Sequence, residues 1–313
     1  MYFAVHLPLL LPLAAVPALR ALAPHLAPHR AAWMLAGAAV LLAAISTLAL
    51  LVLVAMGVSE VPLLAVLGHY TPGGLPGVPG TAPLTACAAV AALAVGLSRT
   101  VRRAALHSRG LSDALSYGRG LADDRELVVL PDRSPLAYAL PGRPGRIVVS
   151  SGMLHALDPA ERRALLAHER AHLAGHHHVL LIAAELAAAA NPLLHRLLPV
   201  LSYAVERSAD EAAAAEVGDR TKAAHAVARA ALAAHAGGGP HPAALHAGTG
   251  PVPQRVAALL APPPARMPNT HTSRAVAVVV AGLLALGIGA CVESVVDLHS
   301  AVETAQAAYG ESD

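Results

Sequence analysis

The feature that most constrains this chain is an uncharged apolar run from Ala31 to Val58. A helix of this length covers the roughly 30 Å hydrocarbon core of a bilayer, even when it is tilted. Three further apolar runs are long enough for spans, at about residues 2–19, 83–98 and 274–292. Charged residues make up only 13% of the chain, about half the share usual in a soluble protein. The sequence therefore predicts a mostly α-helical, polytopic membrane protein with about four transmembrane helices.

The distribution of arginine indicates how these spans are oriented. Arginines lie between the first two spans, after the third span and before the fourth, whereas residues 59–82 contain no Lys or Arg. Basic flanks concentrate on the cytoplasmic side of a membrane. We therefore expect a multi-pass protein of the cytoplasmic membrane, with residues 99–273 forming one cytoplasmic domain. Residues 1–98 would hold the first three spans, and residues 293–313 would form a short acidic tail outside.

One stretch between the third and fourth spans is typical of a metal site. The sequence His168-Glu169-Arg170-Ala171-His172 places two histidines one helical turn apart on the same face. Both imidazoles can then bind one Zn²⁺, with Glu169 beside the open coordination position as general base. A catalytic zinc takes three protein ligands, and Glu206 on a later helical stretch is the candidate third. Asp210 follows one turn after Glu206 and is predicted to orient a ligand histidine.

The alternative is that these residues fall together by chance. The chain has 18 histidines, and a Glu-x-x-x-Asp pair is common on the solvated face of a helix. The two patterns occur in order on two helical stretches, however, and this combination favours a zinc peptidase site. The histidines at 176–178 and His155 are interpreted as ordinary helix-end residues, with an accessory metal site as the alternative.

The motif region resembles the gluzincin membrane peptidases of family M56, the BlaR/MecR-type β-lactam sensor-transducers of bacteria. The resemblance rests on the motif, on Asn-Pro-Leu-Leu at 191–194 and on Glu-Arg-Ser-Ala-Asp at 206–210. It covers roughly residues 120–260. It implies a cytoplasmic, zincin-like α+β metalloprotease domain in which the two motif histidines and Glu206 bind zinc and Glu169 is catalytic. No penicillin-sensor domain follows the last span, so we expect no role in β-lactam sensing.

The expected function is therefore that of a membrane-embedded zinc metalloendopeptidase with one catalytic ion, in regulatory proteolysis or signal transduction. By the resemblance, its substrate is a protein or peptide, either a cytoplasmic repressor or a membrane protein. The lipid bilayer is its other partner, and a homo-oligomer is compatible with the sequence. The net charge of +2, without a basic run interleaved with aromatic residues, argues against direct binding of nucleic acid.

Three other functions remain open. HtpX-type membrane peptidases share the motif and the 206–210 segment, so quality control of membrane proteins is one. A regulatory membrane protein that binds zinc without turnover is the second. A transporter or channel is the third, and it is disfavoured because the spans carry few charged or paired polar residues.

Short apolar runs bounded by Pro and Gly precede the motif and predict a small antiparallel sheet. The runs are residues 127–130, 137–140 and 147–150. An extended substrate can pair with an exposed sheet edge through main-chain hydrogen bonds. Ala137, Tyr138 and Ala139 are the predicted substrate-binding edge, and residues 147–150 are the alternative.

The segment from the motif to Glu206 also constrains the fold. Asp158 as N-cap, Pro159 at the first helical position and Glu161 three residues after the cap predict the start of the motif helix, which should end near Gly175. Two apolar stretches follow, each too short to cross a bilayer. We expect them to pack on the motif helix without crossing, since a charge such as that of Glu185 is costly in lipid.

Candidates for stabilising an oxyanion are Tyr203, His195, Arg196 and Arg207.

Overall fold

The computed structural model describes residues 4–67, 69, 80–120, 126–236, 251–262 and 271–310. Within these ranges the chain is mostly α-helical, with one small sheet. The α-helices are α1 (Leu7–Leu22), α2 (Pro28–Val58), α3 (Pro62–Leu67), α4 (Ala82–Gly120), α5 (Ser151–Ala156), α6 (Pro159–Ala174), α7 (His177–Ala190), α8 (Leu198–Val217), α9 (Arg220–Ala236), α10 (Val252–Leu260) and α11 (His271–Gly310). The strands are β1 (Leu127–Leu130), β2 (Ala137–Leu140) and β3 (Arg146–Ser150), and 3₁₀ turns occur at Ala4–His6, Ala23–His25 and Pro192–Leu197.

Several of the described helices are long and apolar enough to cross a membrane, as the composition predicts. Four segments meet this criterion by themselves, within α1, α2, α4 and α11: Leu7–His25, Pro28–Val58, Ala82–Ser116 and Ala277–Tyr309. A fifth is possible only if α6 and α7, which are bent by 55° relative to each other, count as one span. We treat the four single helices as the spans, because α6 carries six charged or histidine side chains within its first twelve residues.

The span helices extend beyond the predicted segments. Helix α4 continues beyond the third predicted span, which ended at residue 98, to Gly120. Helix α11 continues through most of the acidic tail to Gly310. The reason is the same in both cases: arginine, glutamate and alanine are good helix formers, so loss of hydropathy ends a membrane segment without ending the helix.

The segment between the motif helix and Glu206 forms a hairpin that reaches into the bundle of spans. Helix α7 packs against α2 and α4, and α8 packs against α2 as well as α6. At the turn, the side chain of Asn191 caps the 3₁₀ helix and donates to Ser46 Oγ of α2 (3.0 Å). Both stretches were predicted to pack on the motif helix. Helix α8 does so, whereas α7 packs mainly on the spans. Because α7 and α8 are rich in alanine and leucine, they bury their apolar faces against the spans.

Glu185 of α7 does not lie unpaired in this arrangement. Its Oε2 atom is 3.1 Å from His107 Nε2 and 3.3 Å from Arg103 Nη1, both on α4. The negative charge of Glu185, which argued against burial in lipid, is thus paired with basic side chains of α4. This pairing makes the packing of α7 on α4 compatible with its acidic residue.

The three predicted strands are present, but the sheet is mixed rather than antiparallel. Its order is β1-β3-β2, with β1 parallel to β3 and β2 antiparallel to β3. The central position of β3, at residues 146–150, excludes it as the substrate-binding edge. Strand β2 is an edge strand, as predicted, and it lies against the motif helix.

Helix α6 begins and ends as the sequence predicts. Asp158 accepts hydrogen bonds from the backbone of Ala160 and Glu161, and the Glu161 side chain accepts one from the backbone of Asp158. This capping box satisfies backbone donors that would otherwise be unpaired. The helix ends at Ala174, followed by Gly175. Further along the chain, α8 and α9 are separated at Gly218, whose φ of 66° ends α8.

Candidate metal centre

The two motif histidines face each other on one side of α6. His168 Nε2 and His172 Nε2 are 3.1 Å apart, and both rings are largely buried. The four-residue spacing puts the rings one turn apart, and the packing of α6 against α8 directs both toward that neighbouring helix.

Glu206 of α8 completes a cluster of three ligand types. Its carboxylate oxygens lie 3.6 Å from His168 Nε2 and 3.7 Å from His172 Nε2. All three groups offer one ligand atom within 4.8 Å of each of the others. With zinc–nitrogen and zinc–oxygen bonds of about 2.0–2.2 Å, the ligand atoms of a tetrahedral site are about 3.4 Å apart. The observed separations bracket this value, so the residues fit a zinc ion with little adjustment.

Asp210 contacts the ring nitrogen of His168 that faces away from the cluster. Its Oδ1 atom is 3.2 Å from His168 Nδ1, and the carboxylate is completely buried. The contact has the distance of an ion pair, although its angle is poor for a hydrogen bond. Asp210 therefore stands where it was predicted, close to the ring nitrogen that does not face the cluster.

Arg255 of α10 is a site residue that the sequence analysis missed. Its Nη1 is 2.7 Å from Glu206 Oε2, while its Nε and Nη2 donate to the two oxygens of Asp210 at 2.9 and 2.6 Å. The side chain is only 7% exposed. The one sequence signal was a lone arginine within the amphipathic run at 252–260, about 45 residues beyond the acids that it contacts.

His168 and Arg255 together favour the ionised form of both acids. Burial by itself would raise the pKa of Glu206, but the close approach and charge of His168, together with the charge of Arg255, bring it down to about 2. Burial likewise opposes ionisation of Asp210, yet the hydrogen bonds from Arg255 and the adjacent His168 hold its pKa well below the usual range. The same two acids raise the pKa of Arg255 despite its burial. Both carboxylates are thus charged at neutral pH, as a metal ligand and its neighbour must be.

Glu169 lies next to the cluster, on the side of the sheet. Its side chain is buried, and it lies near the backbone of Ala139 in β2. Burial raises the pKa of Glu169, the effect expected for a carboxylate that has to take up a proton during a reaction.

A mainly apolar cleft of about 400 Å³ opens over these residues. One wall is β2, including the predicted substrate-edge residues Ala137, Tyr138 and Ala139, and the floor includes the motif and Glu206. The cleft extends along α9, and most of the α9 residues that line it are alanine. A concave apolar site with a few convergent polar groups is the usual form of a ligand-binding or active site.

The predicted oxyanion candidates are placed elsewhere. Of the described residues that line the cleft, none is Tyr203, His195, Arg196 or Arg207. Arg207 points instead toward Glu211, with which it pairs on the same helix. Of the other histidines that the sequence singled out, His155 bonds its own helix, His176 is exposed, and His177 and His178 line the cleft.

Comparison with known proteins agrees with this geometry. Residues 100–197 match the model of peptidase family M48. The match runs from α4 through the motif helix to the end of the 3₁₀ helix, and it stops before Glu206. Peptidases of family M48 are zinc-dependent gluzincin-type enzymes, so the match indicates a membrane-associated zinc metallopeptidase. It does not confirm the resemblance to family M56. No curated protein and no solved structure shows significant similarity to the chain.

Proposed function

We propose that the chain is a membrane-embedded zinc metalloendopeptidase that hydrolyses peptide bonds of a protein substrate. The observation that carries this proposal is the meeting of His168, His172 and Glu206 at ligand distances, with Glu169 beside them in a cleft bordered by an edge strand. The M48 match supports the same class of reaction.

In this mechanism, His168, His172 and Glu206 would hold a zinc ion, which would supply Lewis acidity to a water molecule and to the scissile carbonyl. Glu169 accepts the proton of the attacking water and then delivers it to the leaving amine. Asp210 and Arg255 keep the ligands in place and balance their charge.

The substrate binds as an extended segment along β2. The register of β2 with β3 turns the backbone of residues 136, 138 and 140 toward β3, and Ser150 N–H donates to Leu136 O at 2.9 Å. Ala137 and Ala139 therefore direct their backbone groups away from β3, and the N–H of Ala139 lies near Glu169. A peptide that pairs with Ala137 lies across the cleft with its backbone close to the metal ligands.

The setting in the cell follows from the arginine distribution and the resemblance to membrane peptidases. The catalytic region faces the cytoplasm of a bacterium from the inner membrane, and the activity serves regulatory proteolysis of a repressor or a membrane protein. HtpX-like quality control is the alternative role, and the M48 match favours neither over the other. A deletion strain distinguishes them: regulation predicts one discrete uncleaved target, whereas quality control predicts accumulation of many membrane-protein fragments.

The chemistry is tested on detergent-purified protein by zinc content and by hydrolysis of casein. We expect one zinc per chain in the wild type and in Glu169→Gln, cleavage by the wild type alone, and loss of zinc from Glu206→Ala. Glu216→Gln is the matched control, because Glu216 is an exposed acid on the same helix as Glu206. Zinc binding without hydrolysis in the wild type would favour a non-catalytic zinc-binding regulator, and absence of zinc would refute the metal site.

A further inference from the structure

His177 lies directly against a metal ligand but has no part in the mechanism above. Its Nδ1 atom is 3.0 Å from His172 Nδ1, and the two rings meet edge to face at 88° with their centroids 4.8 Å apart. The residue is only 2% exposed, although it is the first residue of α7. A histidine at the start of a helix is usually solvated, so this burial calls for a local cause.

The backbone before His177 is shaped to bring its ring under the end of α6. His176 adopts the left-handed conformation, with a φ of 48°, which is uncommon for a residue other than glycine. Gly175 provides the space: a β-carbon there would lie 2.4 Å from His177 Nε2 and 2.6 Å from its Cδ2. The turn between α6 and α7 therefore tolerates an unfavourable conformation and a close approach, and both place this imidazole against His172.

The chemistry of His172 requires a partner at this position. Its Nε2 faces His168 and Glu206, so Nε2 is the atom that binds the metal. A neutral imidazole that binds through Nε2 carries its proton on Nδ1, and that buried N–H needs an acceptor. His177 Nδ1 is at hydrogen-bond distance and can accept when its own proton is on Nε2. The two ligand histidines thus have different partners, a carboxylate for His168 and an imidazole for His172.

We propose that His177 is a positioning residue, which accepts a hydrogen bond from Nδ1–H of His172 and so fixes the tautomer and ring orientation in which His172 binds zinc. This inference rests on the proposed function only in taking zinc as the bound ion. Partners of metal ligands affect affinity strongly, and their loss typically weakens metal binding about 10–100-fold.

The test measures zinc affinity of the purified, metal-free protein by competition with a chromophoric chelator, independently of turnover. His177→Leu keeps the volume but removes the acceptor, and we expect about 10–100-fold weaker binding. His177→Asn presents an oxygen acceptor near the position of Nδ1 and should restore most of that loss. The electronic spectrum of the cobalt-loaded protein should change in the leucine variant and return toward wild type in the asparagine variant.

A second variant approaches the same contact without changing either histidine. Gly175→Ala places a methyl group against the ring of His177 and should weaken zinc binding in the same direction. The matched controls are His176→Asn, at an exposed neighbour whose left-handed backbone asparagine tolerates, and Gly37→Ala, where a β-carbon meets no atom within 4 Å. Both controls should keep wild-type affinity.

The outcomes separate this proposal from the proposed function. Wild-type affinity in His177→Leu, or equal weakening in the leucine and asparagine variants, would overturn the positioning role while leaving the metal site intact. If His177→Leu does not fold, the zinc affinities of the other two variants provide the test. The proposal expects weaker binding in Gly175→Ala and affinity close to wild type in His177→Asn. Absence of casein hydrolysis by the wild type would contradict the proposed peptidase function, but it would not change the interpretation of the zinc affinities.

Discussion

At the scale of single residues, the arrangement depends most on Arg255. Two buried carboxylates, Glu206 and Asp210, lie one turn apart on α8, and they would repel each other if both were charged without a counter-ion. Arg255 contacts both, with two nitrogens on Asp210 and the third on Glu206. Its planar group suits this task, because five donors in a fixed fork can serve two acids at once.

We predict that Arg255→Met leaves the two acids uncompensated and lowers the stability of the metal-free protein by about 3–5 kcal/mol, the usual result of removing one partner from a buried ion pair. Zinc should restore part of this loss, since its charge then replaces that of the arginine. Thermal unfolding in detergent, with and without a zinc chelator, measures both effects. Lys222→Met removes an exposed partner of Asp219 and should leave the midpoint unchanged. An equally small effect at Arg255 would show that the three-residue network contributes little.

At the scale of elements, β2 is the strand that would bind a peptide substrate beside the proposed zinc site. It is an edge strand, it lines the cleft, and its Ala139 lies near Glu169, the proposed general base. A strand edge binds any peptide backbone, so we expect the side-chain preference to come from the apolar continuation of the cleft along α9. Most of the α9 residues that line this continuation are alanine, and such small side chains favour a large apolar side chain of the substrate.

We predict that Ala137→Pro lowers kcat/KM for casein at least tenfold while the protein remains folded and zinc-loaded. Proline removes the outward N–H that a substrate strand needs, but it breaks no bond to β3, and prolines occur at such edge positions. The matched control is Val129→Pro in β1, the opposite edge, whose side chain is half exposed and outside the cleft. Unchanged kinetics in Ala137→Pro would mean that the substrate does not pair with β2.

The elements also show how far the sequence could predict the fold. The start of α6 was readable from Asp158, Pro159 and Glu161, because a capping box is a local pattern with a local cause. The parallel pairing of β1 with β3 was not, since strand order depends on contacts that no local pattern records. The approach of His168 to His172 could be predicted because their four-residue spacing reflects helix geometry. Arg255 could not, because its role arises only when α10 packs near α8, far along the chain.

At the scale of the whole molecule, the metal centre stands close to the membrane bundle. The hairpin of α7 and α8 leaves the site at His177, meets Ser46 of α2 at Asn191, and returns to the site at Glu206. Ser46 is about 18 Å along α2 from its C-terminal end at 1.5 Å per residue, well within the length that a bilayer covers. The cleft includes Leu181 of this hairpin, so its lining is continuous with the helices that pack on the spans.

The proposed orientation puts the metal centre and the C-terminal part of α11 on opposite sides of the membrane. The side chains of Asp219, after α8, and Glu303, near the end of α11, are exposed and suit a test of this orientation. In a background with Cys87→Ser and Cys291→Ala, we expect a membrane-impermeant maleimide to label Glu303→Cys in intact spheroplasts. Asp219→Cys should react only after permeabilisation, because arginine-rich flanks favour the cytoplasmic side for residues 99–273. The cysteine-free parent controls for background, and the reverse pattern would place the peptidase outside the cell, where no cytoplasmic repressor could be its substrate.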